Sequence, residues 1–186
     1  MNKHILFGLL LLLGMVASIP STAMAISAPD GSMFEVDASG LWSSAPTAGF
    51  QDAYSGNFGL GMMLNQARTL QGRIDYSPIE WEQVSNAGNL HYKRQSFIIS
   101  SRYYIPTYSK MVNFFGQVGI EISSDKVDSF TPSFAVQTTS ETNTGITPGL
   151  GVEFGLGPSL GFVISGRYHI ITDKYFDLMA GLAVHF

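Results

Sequence analysis

The chain has 186 residues and a formal net charge of −4, and it contains no cysteine. Charged residues make up only 13% of the chain, about half the usual share, while aromatic residues reach 12%. The lack of cysteine excludes a disulfide framework and a thiolate metal site. The weakly negative charge argues against nucleic acid as a partner, and the length predicts a single folded domain.

The first 25 residues have the pattern of a secretory signal peptide. A basic start at Lys3 is followed by an apolar run that ends near Ala17, and Ala23-Met24-Ala25 fits an A-x-A cleavage site. The apolar run is shorter than the ~20 residues of a transmembrane helix, which disfavours an uncleaved anchor. We therefore predict a signal peptide at residues 1–25 and one domain at residues 26–186.

The rest of the chain alternates apolar and polar residues with a period of two, the pattern of β-strands with one apolar face. In the first segment, Phe34 and Val36 share one face, whereas Glu35 and Asp37 share the other. Each segment has about the 9–11 residues that a tilted strand needs to cross a bilayer. The eight segments are 33–42, 54–64, 69–76, 94–105, 113–122, 145–154, 160–170 and 175–186.

The connections between these segments alternate in length. We predict long polar loops at 43–53, 77–93 and 123–144, and the last of them can contain extensions of the fifth and sixth strands. Short connections with turn-forming Asn, Pro and Gly are expected at 65–68, 106–112 and 155–159, and near Thr172-Asp173-Lys174. Long loops at one end and tight turns at the other are typical of outer-membrane barrels.

The composition of the two strand faces distinguishes a membrane barrel from a soluble one. A water-facing surface needs many Lys and Glu residues, but the polar face is mostly Gly, Ser, Thr, Asn and Gln. We therefore predict an all-β fold, a closed up-and-down eight-stranded antiparallel transmembrane β-barrel with its polar face inside. A soluble lipocalin-like barrel is the alternative. Candidate aromatic girdle residues near strand ends are Trp42, Tyr54, Tyr76, Tyr103, Tyr168 and Phe176.

Taken together, the signal peptide, the eight alternating strands, the long-loop and short-turn alternation and the terminal Phe186 resemble small outer-membrane barrels of the OmpX/OmpA type. The resemblance covers residues 33–186 and implies the outer membrane of a Gram-negative-type envelope. It also implies that the last strand is an assembly signal for the barrel assembly machinery. The signal residues would be Phe176, Leu178, Ala180, Leu182, Val184 and Phe186.

The inward faces of the predicted barrel carry charges of both signs. Side chains nearly fill the interior of an eight-stranded barrel, so we do not expect a wide pore. We predict a salt-bridge network that plugs the lumen; the alternative is an ion gate in which the charges switch partners. The residues expected in the half near the chain termini are Glu35, Asp37, Arg73, Arg102 and Glu153. Those expected in the other half are Asp75, Glu121, Arg167, His169 and Asp177.

One lumenal contact can be predicted in detail, and two residues fit the pattern poorly. A last hairpin that turns around Asp173 places His169 opposite Asp177, which predicts a hydrogen bond between them. Pro148 cannot donate a ladder hydrogen bond, so we expect it at a strand start or at a bulge. Ile98 falls on the polar face of the fourth strand and conflicts with the register assigned there.

Catalysis receives little support from the sequence. Outer-membrane lipid A deacylases resemble this chain in size and fold and place His and Ser at i, i+2 on the lipid-facing side, but the chain has no H-x-S. His91 falls in a predicted loop. His169 and Asp177 lack a positioned nucleophile, although Ser165 shares their face. We therefore predict no enzyme and no catalytic, cofactor-binding or metal-binding residues.

The predicted function is that of a small integral outer-membrane barrel with a structural or surface-interaction role, a plugged lumen and exposed loops. A narrow gated channel is the alternative, and a lipid-modifying hydrolase is a less favoured one. The expected partners are outer-membrane lipid and lipopolysaccharide, the barrel assembly machinery, and a surface ligand bound through the loops. Loop aromatics that either contact a ligand or pack locally are Phe50, Trp81 and Phe130.

Overall fold

The structure is a computed structural model that describes residues 33–65, 67–85, 88–105, 111–131 and 134–186. The signal peptide predicted at residues 1–25 lies outside the described residues. Within them, no helix is long and apolar enough to cross a membrane. The strands are β1 (Phe34–Ser43), β2 (Ala53–Met63), β3 (Leu70–Ser85), β4 (Gly88–Ile105), β5 (Val112–Thr131), β6 (Phe134–Gly155), β7 (Leu160–His169) and β8 (Tyr175–His185).

The eight strands form a closed barrel in which each strand pairs antiparallel with its sequence neighbours. The barrel closes through β1 and β8, whose ladder starts with Glu35 opposite His185. At that end the Phe34 amide donates to the Phe186 carbonyl oxygen at 2.9 Å, and the Phe186 amide donates to the Phe34 carbonyl oxygen at 3.0 Å. The predicted fold is confirmed. We call this end of the barrel the lower end and the opposite end the upper end.

The apolar face of each strand lies on the outside of the barrel. Tyr54 is 81% exposed and Leu150 is 72% exposed, whereas Gln71, Arg73 and Asp75 on the inner face of β3 are at most 3% exposed. A barrel in water would have the reverse arrangement, because burial of apolar side chains drives its folding. The outside therefore suits a lipid environment, as the composition of the two faces predicted.

Strands β3 to β6 continue beyond the barrel at the upper end. β1 ends at Ser43 and β7 ends at His169, whereas β3 continues to Ser85 and β6 begins at Phe134. The predicted long loop at 77–93 was therefore wrong, since this range forms the β3–β4 hairpin. The predicted strand extensions within 123–144 are confirmed. We call this four-stranded upper part, made of residues 77–95 and 123–145, the extension.

The extension escaped the sequence pattern because its apolar inner face is short, with Ile79 and Trp81 on β3, and because the upper part of β6 is polar on both faces. Residues 138–144 read TTSETNT, so no alternation of apolar and polar residues marks the upper part of β6. His91, which we expected in a loop, lies in β4 opposite Glu82. Hydrogen bonding along the ladder, rather than an apolar face, defines these strands.

Pro148 and Ile98 are both accommodated within continuous strands. The expectation of a strand start or a bulge at Pro148 was wrong, because it lies within β6, paired with Val118, and no register shift occurs there. Instead, the β6–β7 ladder is interrupted between Gly149 and the bridge from Ile146 to Ile170, where proline cannot donate. Ile98 points inward and is buried.

Gly119 explains how an isoleucine fits the inner wall at position 98. A Cβ atom at Gly119 would lie 2.8 Å from the Cγ2 atom of Ile98, which is closer than such atoms approach. The missing side chain on β5 therefore leaves the space that Ile98 of β4 fills. The inward and outward positions that we assigned to the fourth strand therefore remain as predicted.

We expect Gly181→Ala to destabilise the barrel by about 1–3 kcal/mol, because a Cβ atom there would overlap the β1 backbone at Ala38 and Ser39, on the closing seam. Urea unfolding in lipid vesicles, followed by tryptophan fluorescence, measures this change. Gly116→Ala is the matched control, since a Cβ atom at Gly116 would meet nothing within 4 Å. Equal unfolding midpoints for the two variants would contradict the prediction.

A closed lumen and a strand extension as the candidate functional site

All ten charged residues that the sequence assigned to the lumen face the interior of the barrel. Nine of them are buried, and the Asp37 side chain is 10% exposed. The set contains six carboxylates, three arginines and one histidine, so buried charges of both signs are brought together as burial requires. The contacts of these residues with one another are described next.

Arg73 is the centre of the lumenal network. Its guanidinium group forms ion pairs with Glu35, Asp37 and Asp75, the last at 2.9 Å. Arg73 was assigned to the lower half of the lumen and Asp75 to the upper half, so this ion pair connects the two predicted halves. Three carboxylates around one fixed cation hold β1 and β3 together from the inside.

A second group of contacts lies towards the lower end. Arg102 donates to Glu35 at 3.2 Å, and the Tyr104 hydroxyl lies between Glu35 at 3.2 Å and Glu153 at 3.1 Å. His185 Nε2 lies 2.6 Å from the Glu153 carboxylate. These contacts join β1, β4, β6 and β8 across the lumen.

Arg167 connects the centre of the lumen to its upper part. Its Nη2 atom donates to Asn57 at 3.0 Å and to Ser77 at 3.1 Å. Its guanidinium nitrogens also lie 3.7 Å from the Asp75 carboxylate and 3.8 Å from the Asp177 carboxylate. β7 is thus linked to β2, β3 and β8 through one side chain.

His169 is held between two carboxylates at the upper end of the lumen. Its Nδ1 atom lies 2.6 Å from Glu121 Oε2, and its Nε2 atom lies 2.8 Å from Asp177 Oδ2. The ring stacks on Tyr175 with centroids 4.0 Å apart. Ionised carboxylates only accept hydrogen bonds, so this arrangement requires protons on both ring nitrogens. His169 is therefore a cation held by two anions.

The predicted hydrogen bond between His169 and Asp177 is present, but the predicted pairing was wrong. His169 lies opposite Tyr175, and Asp177 lies opposite Arg167. The hairpin register differs by two residues from a turn centred on Asp173, so both side chains remain on the inner face. Their contact is diagonal, and Asp177 also faces Arg167.

A cluster of buried apolar side chains lies at the upper end of the lumen. Trp81 is fully buried, stacks on Tyr92 with centroids 5.4 Å apart, and meets the edge of Tyr175 at 5.3 Å. The Trp81 indole N–H donates to the Ser44 carbonyl oxygen at 3.1 Å. We call this cluster the cap; it contains Leu41, Ala53, Ile79, Trp81, Tyr92, Ile171, Tyr175 and Met179, with Phe50 packed against it. Trp81 and Phe50 are therefore packing residues, and the Phe130 side chain lies outside the described residues.

A smaller apolar cluster, which we call the floor, lies at the lower end. It contains Met63, Tyr104, Phe115, Val163 and Ala183. The Arg102 guanidinium carbon lies 4.0 Å from the centroid of the Phe115 ring. Between cap and floor, a polar cavity of about 20 Å³ is lined by residues that include Asp37, Asn57, Arg73 and Arg167. A cavity of this size holds about one water molecule and no larger solute.

An ion pair between Arg94 and Asp125 supports the cap from the extension. Arg94 donates to both carboxylate oxygens of Asp125 at 2.7 Å, and its guanidinium carbon lies 5.0 Å from the centroid of Tyr175. Burial alone would raise the pKa of Asp125, but hydrogen bonds from Arg94, Asn143 and Tyr92 hold that pKa below its ordinary value. The pair remains ionised at neutral pH and links β4 to β5.

Two clusters contain residue types that bind metals. Glu35, Glu153 and His185 are buried, whereas Glu80, Glu82 and His91 lie on the outer face of the extension, and in each group the possible ligand atoms lie within 4.8 Å of one another. The lone-pair positions of Glu35 are already taken by Arg73, Arg102, Gln71 and Tyr104. Glu80 is paired with Lys93 at 3.1 Å. Neither cluster needs a metal to satisfy its charges.

Sequence reasoning missed several residues of the lumenal network. Tyr104 lies on an inward position of β4, so strict alternation from Arg102 would have found it. Gln71 shares the inward face of β3 with Arg73 but was left out of the predicted network because its side chain carries no charge. The Arg94–Asp125 pair was missed because Asp125 was assigned to the loop at 123–144, which left Arg94, the first residue of the fourth predicted strand, without a partner.

The open edge of β6 is the other notable feature of the upper end. β7 pairs with β6 only from Gly149 to Gly155 and at the bridge to Ile146. Among the described residues, no strand pairs with this edge above Ile146. Because Ile146 exchanges hydrogen bonds with Ile170, the backbone groups of Thr138, Ser140 and Thr142 face the same open side.

We expect His169→Gln to destabilise the barrel by about 3–5 kcal/mol, since Glu121 and Asp177 would lose the cation between them. His91→Gln on the outer face of the extension is the control and should change stability by less than about 0.5 kcal/mol. Urea unfolding in lipid vesicles provides the comparison. Similar losses for both variants would show that the imidazolium assignment is wrong.

Comparison with known proteins identifies the family of the chain. The family model described as outer membrane protein beta-barrel domain matches residues 9–186. No curated protein sequence matches the chain.

Solved structures of similar fold include a major outer membrane protein from Thermus thermophilus, with 12% identity and a TM-score of 0.66 over 84% of this chain and 100% of that one. Neisserial surface protein A has 19% identity and a TM-score of 0.60 over 86% and 100%. Ail of Yersinia pestis, in complex with the heparin analogue sucrose octasulfate, has 15% identity and a TM-score of 0.57 over 83% and 97%.

At these identities the solved structures show a shared fold, and the family match covers nearly the whole chain. The protein therefore belongs to the outer membrane protein beta-barrel domain family and is a small barrel of the outer membrane.

Proposed function

We propose that this protein has a structural or surface-interaction role, with a closed lumen and with the extension as its binding element. The observation that carries the proposal is the open edge of β6, which is paired with β5 on its other side within the four-stranded extension. The open edge is a template for an extended polypeptide, which would add a strand through main-chain hydrogen bonds.

The closed lumen supports this role over transport. Ion pairs centred on Arg73, Arg167 and His169 cross the interior between the cap and the floor. The central cavity of about 20 Å³ is too small for anything larger than a water molecule. Opening the lumen would separate buried charges, which is costly when one partner is left unpaired. We therefore propose that the network is a plug, and the gated channel remains the second candidate.

We assign the upper end, with the extension, to the outside of the cell. Bacterial outer-membrane barrels have short periplasmic turns and longer extracellular segments. In this chain the β2–β3 and β6–β7 connections at the lower end are short, and the extension lies at the upper end. The open β6 edge would then face the surroundings of the cell.

We also propose that residues 1–25 direct export and that the barrel assembly machinery recognises β8 from its lipid-facing side. That side carries Phe176, Leu178, Ala180, Leu182, Val184 and Phe186. Leu178 is 47% exposed and Phe186 is 64% exposed, so these side chains are available to lipid and to the machinery. Outer-membrane lipid and lipopolysaccharide are the remaining proposed partners.

The hydrolase alternative is disfavoured by the geometry around His169. Both ring nitrogens are bonded to carboxylates, and Ser165 lies opposite Met179 on the wall of the central cavity. A Ser-His-Asp triad needs a hydrogen bond between the serine and the histidine. Among the described residues, no serine forms a hydrogen bond with His169. We therefore propose no catalytic role.

Planar-bilayer recordings of the purified protein should show no stable open state. Arg73→Ser should create a cation-selective conductance, because Glu35, Asp37 and Asp75 would lose their shared cation and take up water. Lys126→Gln on the outer face of the extension is the control and should stay closed. Steady conductance of the unmodified protein would instead favour the gated channel.

The open edge can be tested with a fluorescent peptide that copies residues 137–145. The unmodified protein and Ser140→Ala should bind it, whereas Ser140→Pro should bind at least about tenfold more weakly, because proline removes an amide from the open edge. Fluorescence polarisation measures binding, and amide hydrogen exchange should show fast exchange at Ser140 before the peptide is added. Identical binding by all three proteins would contradict the proposed binding of a polypeptide at the open edge.

A further inference from the structure

A row of ionisable side chains crosses the outer face of the extension near the tip of the β3–β4 hairpin. Glu82 of β3 lies directly opposite His91 of β4, and His91 lies directly opposite Asp128 of β5. Glu80 lies two residues before Glu82 on the same face of β3. Because directly opposite and diagonal side chains of a sheet are within reach of each other, three carboxylates surround one imidazole ring.

Two of these carboxylates converge on the same ring nitrogen. The Nδ1 atom of His91 lies 3.2 Å from Glu80 Oε1 and 3.5 Å from Glu82 Oε1. Zn²⁺ binds nitrogen and oxygen ligands at about 2.0–2.2 Å, so neighbouring ligand atoms of a tetrahedral site lie about 3.3–3.6 Å apart. The two distances are therefore close to the edges of a zinc tetrahedron, and all three possible ligand atoms lie within 4.8 Å of one another.

The cluster is open to solvent and has an incompletely compensated negative charge. The side chains are 25% exposed at His91, 44% at Glu80 and 54% at Glu82, so an ion can enter from outside. Glu80 pairs with Lys93 at 3.1 Å, but among the described residues no lysine or arginine forms an ion pair with Glu82. Water solvates the exposed carboxylates, so the fold does not require a metal. A cation bound between Glu80 and Glu82 would nevertheless remove the repulsion between them.

We propose that Glu80, Glu82 and Nδ1 of His91 form a binding site for a divalent transition-metal ion such as Zn²⁺. One imidazole nitrogen and two carboxylate oxygens form a three-ligand set that leaves a fourth position for water. The imidazole favours Zn²⁺ over Ca²⁺ and Mg²⁺, which prefer sites made of oxygen ligands. We predicted no metal-binding residues from the sequence, because residues 77–93 were assigned to a loop. Only the pairing of β3 with β4 brings these side chains together.

Asp128 completes the surroundings of the site from β5. Metal-bound histidines usually donate the N–H of their other ring nitrogen to a carboxylate, a backbone carbonyl or water, which fixes the orientation of the ring. Asp128 lies directly opposite His91 and already accepts a hydrogen bond from Thr138 at 2.8 Å. Because a carboxylate accepts several hydrogen bonds, Asp128 can orient the ring as well. A bound metal would thus link β3 to β4 directly, and to β5 through the histidine.

The binding test is a calorimetric titration of the tag-free, detergent-solubilised protein with Zn²⁺. The unmodified protein should bind one equivalent of the ion. His91→Gln and Glu82→Gln should each weaken binding at least about tenfold, because each variant removes a ligand. Lys93→Gln should instead strengthen binding by up to about fivefold, since a positive charge next to Glu80 would be removed.

Glu141→Gln is the matched control for the loss of one carboxylate from the extension. Glu141 lies opposite the buried, inward-facing Asp125, so it is on the other face of the sheet. This variant should bind Zn²⁺ as strongly as the unmodified protein does. Since His91→Gln should change the stability of the metal-free protein very little, its loss of binding would report a missing ligand rather than misfolding.

Nitrogen NMR of the protein with ¹⁵N-labelled histidine provides a second measurement. Zn²⁺ should shift the Nδ1 resonance of His91 and leave His169 and His185 unchanged, because both are buried in the lumen. Three results would overturn the proposal: no saturable binding of one equivalent, equally strong binding by His91→Gln, or displacement of Zn²⁺ by an equimolar amount of Ca²⁺. Peptide binding at the open edge of β6 is measured with a chelator present, so failure of the metal site would leave the proposed function standing.

Discussion

The pairing of β1 with β8 is the constraint on which the rest of this structure depends. Inside a bilayer, backbone amides and carbonyls have no water to bond, so a sheet that crosses it must have no free edge. The ladder that starts with Glu35 opposite His185 removes that edge. Gly181 allows β8 to approach the β1 backbone closely enough for this. Closure also decides which face of each strand lies inside the barrel. The polar residues that alternate along the strands therefore line a lumen.

In the closed barrel, the buried charges of the interior must be compensated by one another. Six carboxylates face three arginines in the set that we assigned to the lumen, and His169 supplies a further positive charge between Glu121 and Asp177. The cap and the floor lie at the two ends of this network, and breaking an ion pair between them would leave a buried charge unpaired. The polar interior thus acts as the core of this protein, while its apolar residues face lipid.

In contrast to the membrane-spanning barrel, the extension does not need every strand edge to be paired. Above the apolar belt, water can satisfy free backbone groups, so β6 can keep an open edge that would be forbidden lower down. The Arg94–Asp125 ion pair and the aromatic cap hold the extension to the barrel. The open edge of β6 thereby lies beyond the apolar belt, where the proposed surface-interaction role would use it.

The sequence by itself determined the barrel, the inward and outward residues and the charges of the lumen, because one apolar face and a period of two fix which face of each strand meets lipid. It did not determine the β3–β4 part of the extension, where the apolar face is short, nor the diagonal contact of His169 with Asp177. It also left Arg94 and Asp125 unpaired. Only the tertiary structure decided these, since hairpin register, ladder length and ion-pair partners depend on which strands meet across the closed barrel.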